Sequence, residues 1–211
     1  MSTRTTSDAR ERILDAACDV IAAHGIEDVR IARIAMVAGV SPALVHYHFS
    51  TRETLLAEAL EHSFELLGDL RTTRAEAEGW TAGQRLGWMI DESMPFRGLG
   101  EREWRLWLEL WGRAARQPTL RPVAARLYER YDAWIAEVVQ EGIDSGEFHA
   151  DDSADVVQRL VAAIDGIGLR VLVDDPAMDA SRGRRLIVES LAHELGTEPA
   201  AFDAAAGKVL R

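Results

Sequence analysis

One cysteine and one lysine stand among 211 residues. Cys18 has no second thiol within the chain, so an internal disulfide is excluded and a reducing compartment fits. Lys208 is the only lysine, so nearly all of the positive charge is arginine. No stretch approaches the roughly 18 uninterrupted apolar residues of a membrane span. The opening MSTRTTSDARERI has no apolar core of a secretory signal. These absences lead us to expect a cytoplasmic protein with no membrane partner. The net charge of −11 argues against a protein basic all over that coats nucleic acid. Enzyme signatures are missing too. Gly166-x-Gly168 lacks the third glycine and preceding strand of a dinucleotide site, and no phosphate-binding loop or nucleophile elbow occurs. His46 and His48, two apart, would diverge on a helix and make a poor metal pair. Neither a metal, nor a cofactor, nor an enzymatic activity is therefore expected.

With 47% hydrophobic and 28% charged residues, the chain has the makings of a globular core. The pattern is helical from end to end, with no alternating strand and no internal repeat. Ile13, Ala16, Ala17, Val20 and Ile21 recur at three- and four-residue spacing, and Gly25 follows as a natural stop. The apolar segment Ile31 to Val37 leads through Gly39 to Ser41-Pro42, an N-cap followed by a favoured first-turn residue. Two short helices joined by a glycine turn form a helix-turn-helix layout. The second reads Pro42-Ala43-Leu44-Val45-His46-Tyr47-His48-Phe49. Its gathered imidazoles and phenol suit phosphate or base contacts, with Val45 and Phe49 as inward anchors. Ser50-x-x-Glu53 is expected to box the start of a long helix towards Arg71. Further helices are expected at about 82–93, 101–116, 120–145, 153–173 and 181–195, broken by Gly98, Gly100, Pro118, Gly146 and Pro176.

The run His24-Gly25-Ile26, Ile34-Ala35, Ala38-Gly39-Val40-Ser41 and Tyr47-His48-Phe49-Ser50-Thr51-Arg52-Glu53-Thr54-Leu55-Leu56 resembles the DNA-binding region of the tetracycline-repressor (TetR) family. The resemblance covers about residues 8–56. It implies an all-α homodimeric transcriptional regulator, usually a repressor, that holds a palindromic operator until a small inducer releases it. It also implies that Pro42, Ala43, Leu44 and His46 face bases, with Ser41, Tyr47, His48 and Arg52 beside them on the backbone. Arg30 stands where threonine is common in the family, and Arg52 where lysine is usual. Residues 1–60 carry a net charge of −2, so Arg4, Arg10, Arg30, Arg33 and Arg52 must supply the phosphate contacts. Modest affinity and a shallow salt slope are expected.

All six tryptophans fall between positions 80 and 134. Trp104, Trp107 and Trp111 share one helix face by spacing. With Trp88, Tyr128, Tyr131 and Glu92 they form either ordinary core or a ligand pocket. Asp91, Glu92 and Glu109, near the indoles in sequence, would make such a pocket suit an organic cation. Trp107-Leu108-Glu109-Leu110-Trp111, Pro118-Thr119-Leu120 and Asp165-Gly166-Ile167 are similar to the choline/betaine-responsive (BetI-type) branch, which implies a ligand-binding C-terminal domain. Asp165 is an isolated acid in an apolar helix, open to a paired structural role or a pocket role. The segment 156–173 is apolar nearly all round, and 181–195 carries a second apolar stripe. Together they could build a four-helix dimer interface through Val161, Gly168, Leu169, Leu172, Leu186, Ile187, Ser190 and Leu191, or a single-chain core. The expected organisation is a three-helix DNA-binding domain at 1–52, a ligand-binding and dimerisation domain at 53–196, and a loosely ordered tail at 197–211. A helical scaffold that binds only proteins is the alternative reading, and it leaves the motif at 24–56 without a purpose.

Overall fold

The computed structural model describes residues 3–26, 29–95 and 99–203; the side chains of 3–7, 66–78 and 99 lie outside that description. The described residues form α1 (Thr3–His24), α2 (Ile31–Ala38), α3 (Pro42–His48), α4 (Arg52–Glu78), α5 (Ala82–Glu92), α6 (Leu99–Arg116), α7 (Arg121–Asp144), α8 (Ser153–Leu172) and α9 (Ala180–Glu194). Short 3-10 turns stand at Pro118–Leu120 and Pro199–Phe202, and no strand occurs among the described residues. Compactness divides the chain into two units, residues 1–69 with 102–127 and residues 70–101 with 128–211.

Local chemistry sets the ends of these helices. Gly39 adopts φ +66°, which an L side chain resists, and this turns the chain from α2 into α3. Ser41 Oγ accepts from Leu44 N at 3.2 Å and Pro42 supplies the first turn. The cap of α4 falls one residue later than expected. Thr51 Oγ1, not Ser50, accepts from Thr54 N at 3.0 Å, because Thr51 is the last residue before helical backbone begins. Thr81 and Gln84 close a reciprocal capping box on α5. Glu147 adds its carboxylate there, accepting from Ala82 N at 3.0 Å and Gly83 N at 2.9 Å.

In the first unit α1 packs on α2 and α3. Ile13, Ala17 and Ile21 join Ile34, Val45, Phe49, Leu55, Leu106 and Leu110 in one core. Phe49 is fully buried beneath the Arg10 guanidinium, whose carbon lies 5.6 Å from the ring centre. The second unit packs α8 on α9 and α5 on the turn at 199–202. That turn corrects the loose tail expected after Gly196 as far as Asp203; residues 204–211 of that tail lie outside the described residues. Phe202 is 0% exposed and stacks on Phe148 at 6.1 Å. A Cβ at Gly87 would meet Phe202 O at 1.8 Å, so a glycine is required for the turn to sit against α5. Arg184 fastens the same place, bonding Asp91 at 2.6 Å and Phe202 O at 3.1 Å.

Candidate DNA-binding surface and effector residues

Packing decides which side of the helix-turn-helix is left to function. Val45 and Phe49 anchor α3 inward, while Pro42, Ala43 and His46 are exposed, Tyr47 is 77% exposed, and Leu44 is half-buried. Arg30 and Arg33, at the start of α2, are exposed as well. Arg30 takes the N-cap position of α2 with no side-chain cap bond, in keeping with its inability to accept one. His48 and Arg52 are less open. Nε2 of His48 and both Nε and Nη2 of Arg52 are buried without a hydrogen-bond partner among the described residues. Their expected phosphate contacts therefore rest on the remaining nitrogens. The Arg4 side chain lies outside the described residues.

The seven aromatic and acidic positions fall into two sets. In the first unit Trp104 is buried, and Trp111 lies 6.0 Å from Trp104 and 5.6 Å from Trp107, centre to centre. Trp111 Nε1 is buried with no acceptor among the described residues. In the second unit Trp88 is buried against Trp80 at 5.6 Å, and Tyr131 lies 6.2 Å from Trp134 while sharing a 2.6 Å hydrogen bond with Ser93. Tyr128 donates its hydroxyl proton to Asp165 Oδ2 at 2.6 Å. Burial pushes the Asp165 carboxyl above its ordinary range, opposed by that donated bond and reinforced by the nearby Asp132 charge. Asp165 thus has a hydrogen-bond partner inside the chain, on a tyrosine of the candidate effector set. Glu92 is exposed.

Two of the carboxylates read from sequence as cation partners are engaged elsewhere. Asp91 pairs with Arg184. Glu109 accepts from Ile26 N at 3.2 Å, at the exit of α1. Two residues along a helix amount to about 200° of rotation, so Glu109 faces away from Trp107 and Trp111 despite standing between them in sequence. The same side of α6 carries Arg102, which bonds Asp19 at 2.9 Å and Ser63 Oγ at 3.2 Å. Sequence reasoning missed this polar clasp, although the 160° between Glu109 and Trp111 was already legible in helical spacing.

The expected dimer residues also separate. Val161, Gly168, Ile187 and Leu191 are buried within the single chain, so they belong to its core and not to an outward face. The tight approach of α8 and α9 within the chain is at Gly183, where a Cβ would lie 2.6 Å from Ile167 Cγ2. Leu169, Leu186 and Ser190 are exposed, Leu172 is half-buried, and Val173, not foreseen, is 63% exposed.

Residues 13–59 match the family profile described as bacterial regulatory proteins, tetR family. Residues 82–196, more than half of the chain, match the profile of the BetI-type transcriptional repressor C-terminal domain. The chain belongs to the TetR family. Its BetI-type half and its helix-turn-helix make it a DNA-binding, ligand-responsive transcriptional regulator and not an enzyme. A relative from Brucella canis, named HTH-type transcriptional regulator BetI, is 24% identical over 91% of this chain and 94% of its own length. A transcriptional regulator from Saccharomonospora viridis, solved in complex with choline, is 32% identical over 90% of this chain and 98% of its own, with a TM-score of 0.78. A TetR-family regulator from Rhodococcus sp. is 26% identical over 90% of this chain and 99% of its own, with a TM-score of 0.80. None of these relatives favours a protein-binding scaffold. No helix among the described residues is long and apolar enough to cross a membrane.

Proposed function

We propose that this TetR-family regulator is a cytoplasmic homodimer that occupies a palindromic operator and leaves it when a small organic cation, choline or a close analogue, binds. The observation that carries this reading is the match to a choline-bound regulator over nine-tenths of the chain. Supporting it, the aromatic groups at Trp104, Trp107 and Trp111 and at Tyr128 and Tyr131 offer π faces that attract a quaternary ammonium. The outward faces of α8 and α9 carry exposed Leu169, Val173, Leu186 and Ser190 for a second copy to cover, flanked by the charged Arg170, Arg185 and Glu189. Two copies of α3 would then meet half-sites about one helical turn, ~34 Å, apart or a multiple of it. Arg30, Arg33, Tyr47, His48 and Arg52 take the phosphates, with Arg4 as a further contact.

Release requires the effector to prefer the conformer whose two reading helices are wrongly spaced. Moving the population from 1:99 to 99:1 demands about 5.5 kcal/mol of differential binding. The test is a titration of the protein–operator complex with choline, glycine betaine and a neutral isostere, followed by tryptophan fluorescence and by electrophoretic retardation. Quenching and operator release by choline alone support the reading. Release only by neutral or anionic ligands overturns the cation assignment, and failure to retard any promoter fragment overturns the operator-binding role. Trp107→Leu and Tyr128→Leu, tested separately, distinguish the two aromatic groups as the place of cation binding.

A further inference from the structure

The outward side of α3 is poor in the chemistry that reads most bases. Helix Pro42–His48 contains no arginine, lysine, asparagine, glutamine or carboxylate. Guanine is usually read by a forked arginine or by lysine, adenine by asparagine or glutamine, and cytosine by a carboxylate acceptor. Ser41, at the helix start, already uses its oxygen to accept from Leu44 N. The N-terminal residues of a recognition helix are those that meet base edges. Here they are Pro42 and Ala43, both exposed, followed by the half-buried Leu44. In the major groove the feature of a base edge that rewards an apolar side chain is the 5-methyl group of thymine.

We propose that Pro42, Ala43 and Leu44 read thymine methyls, so that each operator half-site is specified chiefly by the positions of its thymines. Hydrogen-bonded base readout from this helix is confined to His46, since Tyr47 and His48 are given to phosphates. The inference rests on α3 lying in the major groove and adds the class of base edge that it selects. Apolar contacts also reconcile specificity with a motif region of net charge −2: discrimination comes from shape and methyl burial, with few phosphates neutralised.

The experiment uses the full-length protein and a duplex recovered from a random pool by repeated selection. Each thymine is replaced singly by deoxyuridine, which keeps every hydrogen-bonding group and removes only the methyl. Affinity is expected to fall about fourfold at one or more symmetric positions per half-site, the worth of one buried methyl. Replacing guanines by 7-deazaguanine should change it by less than about twofold. In Ala43→Gly, one deoxyuridine penalty should vanish while the other positions keep theirs and the thermal midpoint falls by only a few degrees, the ordinary cost of glycine in a helix; the position-specific coupling marks the contact. If deoxyuridine is tolerated everywhere while 7-deazaguanine weakens binding, guanine is being read and the proposal falls. If no duplex survives selection, the placement of α3 in DNA has itself failed.

Discussion

The helix-turn-helix and the α8–α9 pair are both two packed helices, and they keep their shape by opposite means. Helices α2 and α3 have eight and seven residues, lengths at which isolated helices are marginal in water. They depend on punctuation, namely Gly39 in its left-handed turn and the Ser41 cap, and on a floor supplied by α1, α4 and α6 through Phe49 and Val45. Helices α8 and α9, of 20 and 15 residues, hold a long apolar seam of their own. The short pair spends its exposed positions on chemistry, with His46 and Tyr47 outward. The long pair leaves Leu169 and Val173 outward, uncharged and without chemistry of their own. Under the proposed function the first surface meets DNA and the second meets its copy.

The largest effects are expected at the two buried phenylalanines, one in each unit. Phe49→Ala is expected to destabilise the first unit by about 3–5 kcal/mol and abolish operator binding. Phe202→Ala should cost the second unit a similar amount, leaving the α2–α3 signature in hydrogen exchange intact; exchange-coupled mass spectrometry separates the two. Next, Leu169→Asp places a charge in the proposed seam and should weaken self-association about a hundredfold by sedimentation, with helicity unchanged. Tyr47→Phe with His48→Ala should lower operator affinity about tenfold and leave the dimer untouched, by electrophoretic retardation. The smallest effect concerns Asp165. Its folded carboxyl titrates above its ordinary value of 3.8, so the folded state holds more protons than the unfolded one. The stability lost to its burial is absent below 3.8 and grows as pH rises through the folded value. Asp165→Asn keeps an acceptor for Tyr128, and should raise the denaturation midpoint at pH 7 relative to pH 4.

The reading head was almost wholly legible because its structure is written locally, in caps, a glycine and four-residue spacings. Its one slip, Ser50 for Thr51, is a one-residue ambiguity between neighbouring hydroxyls, settled by where helical backbone begins. Periodicity also found α8 and α9, yet it could not say which neighbour covers an apolar stripe. Spacing alone leaves Val161 and Ile187 open to a dimer interface or a single-chain core, and the chain buries both itself. The turn at 199–202 was hidden in an alanine-rich sequence, and its signal was non-local: Gly83 and Gly87, four apart on α5, leave a bare strip that the carbonyls of Ala201 and Phe202 occupy.

Glu109 reaches across 83 positions of sequence to hold the amide of Ile26. The stem that leads towards the reading helices is thereby tethered to a rod whose reverse carries the indoles. A rigid rod cannot roll on one flank and stay still on the other. If the proposed effector re-seats those rings and turns α6 about its axis, this tether lengthens, and a push the size of one small molecule reaches the chain that enters α2.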